Sequence, residues 1–127
     1  MAARFVVVID DEQAIREATS SLLKSWGHRV IAAGSGDEAI ERLSSSSVRP
    51  DLLICDYRLR GEESGVAVIE RLRSGYNEAI PAMLITGDTA PGRLAEAAAS
   101  GLLLLHKPVP KGKLRAAIAN LTKSGGR

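Results

Sequence analysis

Three aspartates, a threonine and a lysine stand where short apolar runs end. Asp10 and Asp11 follow FVVVI (5–9), and Asp56 follows DLLIC (51–55). Thr86 closes AMLIT (82–86), and Lys107 lies just past LLLL (102–105). If those ends meet in space, three carboxylates crowd together. Two unit charges at 4 Å interact by about 4 kcal/mol at an effective dielectric of 20, so the cluster must take up protons or bind a cation. The donors are all hard oxygens, with no histidine or cysteine well placed. That favours Mg2+, with Mn2+ or Ca2+ as substitutes. Magnesium keeps waters and takes one or two carboxylates with a phosphate oxygen, so the set calls for a phosphoryl group as well. Lys107 offers a point charge to a phosphoryl oxygen and Thr86 a hydroxyl donor. Gly87 keeps the approach open. Asp56, flanked by cation and lysine, is the natural nucleophile for aspartyl-phosphate chemistry, which rests on positioning and charge neutralisation.

The elements that would position these residues are legible in the apolar pattern. RVIAA (29–33) joins the four runs above as a fifth candidate strand. Between the strands lie segments with helical spacing. The first, 12–26, carries Ile15, Ala18, Leu22 and Trp26 along one face and stops at Gly27. The second, 36–44, opens on Ser35 and Glu38, a capping-box pattern. The third (65–73) carries Val66, Ile69 and Leu72. The fourth (91–100) starts at Pro91 and stops before Gly101. The fifth (110–122) carries Leu114, Ile118 and Leu121. Continuously apolar strands alternating with helices predict a parallel sheet covered on both faces, a (βα)5 α/β fold. Right-handed crossovers leave the flavodoxin-like order 2-1-3-4-5 as the best fit. One domain is expected, with its core over about 5–122 and 123–127 as a tail or linker remnant.

Composition narrows the function classes. The net charge of +2 and 3% aromatic content supply neither a basic footprint nor stacking platforms, so direct nucleic-acid binding is not expected. The single cysteine, Cys55, excludes a disulfide framework within the chain and suits a reducing, cytoplasmic setting. No run approaches a membrane span, and the N-terminal apolar run meets acids rather than a signal-peptide cleavage site. Several residues have plainer readings. Asp11 suits a helix N-cap and Glu12 a first-turn acid. Cys55 points away from Asp56 along its strand and suits a small buried apolar role. Trp26 suits helix packing, and Arg93, Lys111, Lys113 and Arg115 suit solvated faces. His28 and His106 read as surface or strand-edge residues.

Taken together, VIDDE (8–12), ICDYRL (54–59), LITGD (84–88) and LHKPV (105–109) resemble the receiver domain of two-component response regulators. The likeness runs from about residue 5 to about 122. It implies that Asp56 accepts a phosphoryl group from a histidine of a kinase or phosphotransfer domain. It implies that Asp11, Asp56 and the backbone carbonyl of Arg58 bind magnesium directly, with Asp10 acting through water. Thr86 and Lys107 would hold the phosphoryl group, and the Lys107–Pro108 peptide would be cis. The face made by the fourth helical segment, the fifth strand and the fifth helical segment would carry the output, including a homodimer contact. The domain would not itself be an enzyme, although a longer parent chain could be a hybrid histidine kinase.

The sequence departs from the commonest receiver pattern in three places. Leu59 and Arg60 replace the usual Met-Pro, and the loop from Asp56 to Gly65 is one residue longer. Leu104 stands where a switching aromatic is usual, three residues before the lysine. The loop variant and the LLHKPV ending resemble receivers attached to hybrid sensor histidine kinases. Arg58 and Asp88, each two residues past a site residue, are expected to flank the mouth. There they would form an exposed ion pair worth about 0–1 kcal/mol that limits water access to the phosphoryl group. Other function classes compete, among them a flavin- or nucleotide-binding module, which the phosphate-repelling Asp-Asp-Glu loop after the first strand disfavours. A magnesium-dependent aspartyl-phosphate hydrolase needs a general acid two residues after its nucleophile, where this chain has Arg58. A docking module that ignores phosphorylation would not need the complete acceptor set.

Overall fold

Five short runs rich in Val, Ile and Leu form β1 (Phe5–Ile9), β2 (Arg29–Ala33), β3 (Leu52–Asp56), β4 (Ala82–Thr86) and β5 (Leu103–His106). They pair in parallel in the order β2-β1-β3-β4-β5. The computed structural model describes residues 3–59, 63–87, 95 and 99–123. Among them are α1 (Gln13–Ser25), α2 (Gly36–Ser44), α3 (Gly65–Tyr76) and α4 (Lys111–Lys123). Of the segment expected to be helical over 91–100, residues 91–94 and 96–98 lie outside the described residues, as do 124–127 of the tail.

The ends of these elements have local causes. Gly27, at φ 92°, lets the chain turn after α1. Asn77, at φ 53°, closes α3 in the left-handed conformation, so that the helix runs to Tyr76, three residues beyond the expected end. Asp51 lies outside β3 and ties strand starts together, because its carboxylate accepts the Phe5 N–H at 2.8 Å. Ser35 accepts the Glu38 N–H at the start of α2. The Glu38 carboxylate does not return to the Ser35 amide, as a capping box would have it, but accepts the N–H of Gly34.

Side-chain alternation along the strands splits the core into two layers. Phe5, Val7, Ile9, Leu53, Cys55 and Leu84 pack under α2 and α3. Val6, Val8, Leu52, Ile54, Met83 and Ile85 pack under α1 and α4. The burial of Cys55 in the first layer matches its expected apolar role, and burial pushes its thiol pKa well up. The expected face of α1 is turned. Leu23 and Ser20 are its buried residues, whereas Ala18 is exposed and Ile15, Leu22 and Trp26 are half-buried. Leu23 sits on the Val6–Val8 face of the sheet, so the stripe one residue away borders a groove towards α4 instead.

His28 is a second correction, since it is buried rather than on the surface. The Gly27 turn tucks its ring beside the start of β1, where Nδ1 accepts the Arg4 N–H at 3.0 Å. Nε2 is enclosed without a hydrogen-bond partner. Burial, then the positive charge of Arg4, with Arg115 also contributing, lowers its pKa below 6.5. An unfolded chain therefore takes up a proton near pH 6.5 that the folded chain resists, and stability falls as pH drops below that value. Replacing the ring (His28→Gln) is expected to cost stability at pH 7.5, and to cost less at pH 5.5. The gap narrows by at most about 1.4 kcal/mol per pH unit, the limit for one proton. Urea midpoints of both proteins across that range measure it, and a gap independent of pH would refute the assignment.

Candidate functional site

The register of the sheet brings the polar residues to one pole. Ile9 pairs with Cys55, so Asp10 follows β1 at the level of Asp56, and Asp56 itself pairs with Ile85. Thr86 pairs with His106, and the Lys107 N–H donates to the Thr86 carbonyl at 2.8 Å. Four strand ends thus deliver their side chains to neighbouring positions. Asp11, Glu12, Asp56, Arg58, Thr86, Gly87 and Lys107 line a cleft of about 630 Å³.

Carboxylate oxygens of Asp10, Asp11 and Asp56 lie within 4.8 Å of one another. Asp10 and Asp56 are buried. Lys107 Nζ stands 3.2 Å from both Asp10 Oδ2 and Asp56 Oδ2. Asp56 Oδ1 also faces the Arg58 N–H at 3.4 Å. Burial and then the Asp10 charge raise the Asp56 pKa, against the pull of Lys107 and the Arg58 amide. Burial on its own would lower Lys107, but the Asp56 and Asp10 charges outweigh it and raise its pKa. Lys107 thus meets two of the three clustered carboxylates, and the donor set of the cluster is all oxygen. Those residues suit a hard divalent cation.

Glu12 was expected to be only a first-turn acid, yet its Oε1 reaches Lys107 Nζ at 3.4 Å. The expected N-cap role of Asp11 is not observed. Glu12 occupies the cap position without a side-chain cap bond, and its N–H donates to Asp10 Oδ1 at 2.9 Å. Asp10 and Asp11 both lie in the carboxylate cluster with Asp56. The Lys107–Pro108 peptide is cis. Pro108 borders the neighbouring groove of about 660 Å³ between α1 and α4. Leu104 is not in the cleft but packs, half-buried, against the layer under α2 and α3. Asp88 and Arg60 lie outside the described residues, and so does the proposed ion pair of Asp88 with Arg58.

The longer loop after Asp56 is closed at its base. Arg58 and Ser64 form an antiparallel bridge, and the Gly65 N–H donates to the Tyr57 carbonyl at 2.8 Å. Leu59 is buried beneath α3, in the layer where it extends the core. Gly65 begins α3 against the backbone of Asp56. A methyl group there would overlap the Asp56 carbonyl oxygen and come within 2.9 Å of Leu84 Cδ2. The glycine is needed for space, since its φ is not positive. Sequence reasoning also missed Arg16, whose Nη1 donates to the Asp10 carbonyl at 2.8 Å.

Known proteins agree with this arrangement. Residues 6–119 match the family model of the response regulator receiver domain. Among curated relatives, the transcriptional regulatory protein ZraR of Escherichia coli is 31% identical over 114 residues, 89% of this chain and 25% of that protein. The CAI-1 autoinducer sensor kinase/phosphatase CqsS of Vibrio cholerae is 32% identical over 101 residues, 78% of this chain and 14% of that protein. The chain spans about a quarter of the length of the first curated relatives it matches. Chemotaxis protein CheY4 of Vibrio cholerae superposes with a TM-score of 0.80 at 25% identity, over 94% of this chain and 99% of that one. A receiver domain from Clostridium thermocellum, 24% identical, shares the fold at a TM-score of 0.83 over 97% of each chain. Among the described residues no helix is long and apolar enough to cross a membrane. With its five-stranded parallel sheet, its acidic pole and a family match across nearly its whole length, this chain belongs to the response regulator receiver domains of two-component systems.

Proposed function

We propose that Asp56 takes a phosphoryl group from a phosphohistidine on a histidine kinase or phosphotransfer domain, in a Mg2+-dependent reaction in the cytoplasm. The observation that carries this reading is the meeting of Asp10, Asp11, Asp56 and Lys107 at one sheet pole. Asp11, Asp56 and the Arg58 carbonyl would hold the cation, with Asp10 acting through water; Mn2+ or Ca2+ would substitute. The cation supplies charge neutralisation, both to the carboxylates and to the incoming phosphoryl oxygens. The Asp56 carboxylate oxygen forms the new P–O bond as the P–N bond of the phosphohistidine breaks, and the histidine keeps the electron pair. Lys107 pairs with one phosphoryl oxygen and the Thr86 hydroxyl donates to another. Asp88 at the mouth, paired with Arg58, would limit water access and lengthen the phosphoryl lifetime.

The added charge, about −1.5 to −2, draws Thr86 and Lys107 inwards and biases the strand ends that carry them. The output face would be the 91–100 segment, β5 and α4, which could also pair two copies. Leu104 rather than an aromatic would have to transmit the change there. The partner's histidine would approach over α1 and the loop after β5, where the apolar groove bordered by Ile15, Leu22 and Val109 opens beside Asp56 and Lys107. The loop variant supports a parent chain of the hybrid sensor kinase type. Incubation with acetyl phosphate and Mg2+ is expected to add one phosphate by intact mass, and chelation of the metal to abolish it. An adduct of equal yield with and without metal would refute the proposed chemistry.

A further inference from the structure

Arg16 sits one turn and a half beyond the acidic pair, on the inner side of α1. Its Nη1 donates to the Asp10 carbonyl at 2.8 Å. The Asp10 N–H is already engaged by the Ala33 carbonyl at 3.0 Å. The peptide before Asp10 is thus held by the sheet, and the peptide after it by Arg16. Space for the guanidinium comes from Gly34, just past β2. A Cβ on Gly34 would stand 3.0 Å from Arg16 Nη1 and 3.4 Å from Glu38 Oε1. Glu38, from α2, closes the far side and accepts the Gly34 N–H. Gly34 has no positive φ, so room rather than backbone freedom explains it.

We propose that Arg16 is a positioning residue of the carboxylate pole: through the space left by Gly34 it fixes the peptide between Asp10 and Asp11, and so the directions of both carboxylates. The inference rests on the reading of that pole as a divalent-cation site. A charge-assisted bond to a buried carbonyl resists rotation of this peptide far better than water would. Electrostatics alone argues the other way. A positive charge near the site repels a cation, so removing it should tighten binding. The two accounts therefore predict opposite signs.

Mn2+ titration followed by loss of the free-ion EPR signal distinguishes them. Arg16→Met keeps an unbranched, flexible apolar stem but loses the charged head and its donors, and is expected to weaken Mn2+ binding roughly tenfold, the lower end of the range for residues that orient metal ligands. Arg16→Lys recovers most of the loss, and Gly34→Ala moves affinity in the same direction as Arg16→Met by less. Unchanged or tighter binding by Arg16→Met overturns the proposal. Hydrogen exchange at the Asp11 and Glu12 amides of the metal-free protein gives a second readout. It is expected to quicken in Arg16→Met while amides in β3 and β4 keep their rates. If the wild type binds no Mn2+, the cation reading falls; equal Asp11 and Glu12 exchange in both proteins then overturns the positioning role independently.

Discussion

Asp56→Asn is expected to lose the phosphate adduct completely while making the metal-free protein more stable. The first half follows from chemistry, because an amide cannot form the acyl phosphate. The second follows from burial. The Asp56 carboxylate is 8% exposed, and its pKa is raised by desolvation and by Asp10. A carboxyl whose pKa is higher in the folded state binds more protons folded than unfolded, so stability falls as pH rises above the ordinary carboxylate value near 3.8. At neutral pH the uncharged amide removes that cost, and Lys107 still has Asp10 as a partner. A gain on the order of 1 kcal/mol is expected, a few degrees in melting temperature. The gain should shrink as pH falls towards the ordinary carboxylate range, because the raised pKa lets folded Asp56 take up its proton before the unfolded chain does. Thermal melts in a chelator, at pH 4 and pH 7.5, read the difference. Lower stability of the variant at pH 7.5 would show that Lys107 dominates Asp56, and an undiminished adduct would move the acceptor elsewhere.

Gly65→Ala should be the most damaging of the small substitutions. Its methyl group meets the Asp56 carbonyl oxygen and carbon, which are backbone and cannot swing aside, as well as Leu84 Cδ2 at 2.9 Å. Either α3 lifts from the sheet or the end of β3 is displaced. Overpacking of this kind costs about 1–3 kcal/mol, and contact with backbone argues for the upper end. Phosphorylation should slow as well, since the displaced residue is the proposed acceptor. Gly112→Ala is the control. Gly112 is helical and has open space around it, so alanine there should be neutral or slightly stabilising. Equal urea midpoints for Gly65→Ala and wild type would refute the packing argument.

Much of this was legible because it depends on local pattern. Apolar runs bounded by acids and glycines placed the strands, and parallel pairing followed from strands apolar on both faces. Asp10, Asp11, Asp56, Thr86 and Lys107 stood out because each ends such a run. The other findings depend on three-dimensional fit. The direction α1 faces is decided by which leucine seats on Val6 and Val8, and periodicity at 3.6 residues does not separate Leu22 from Leu23. His28 is buried by the Gly27 turn, and nothing in its neighbours' types announces that. Glu12 and Arg16 both look like ordinary helix-surface charges. Their partners, Lys107 and the Asp10 carbonyl, are set by topology and by the length of their side chains.

The contact at Gly65 has a mechanical consequence. With no clearance between the first turn of α3 and the end of β3, those two parts travel as one piece. Clearance exists elsewhere. Gly87 and Gly101, which bracket the connection between β4 and β5, have nothing within 4 Å of the position a side chain would take. A push that begins at Asp56 therefore meets a stop on the α3 side. The helix behind Asp56 acts as a fixed jaw against the end of its strand.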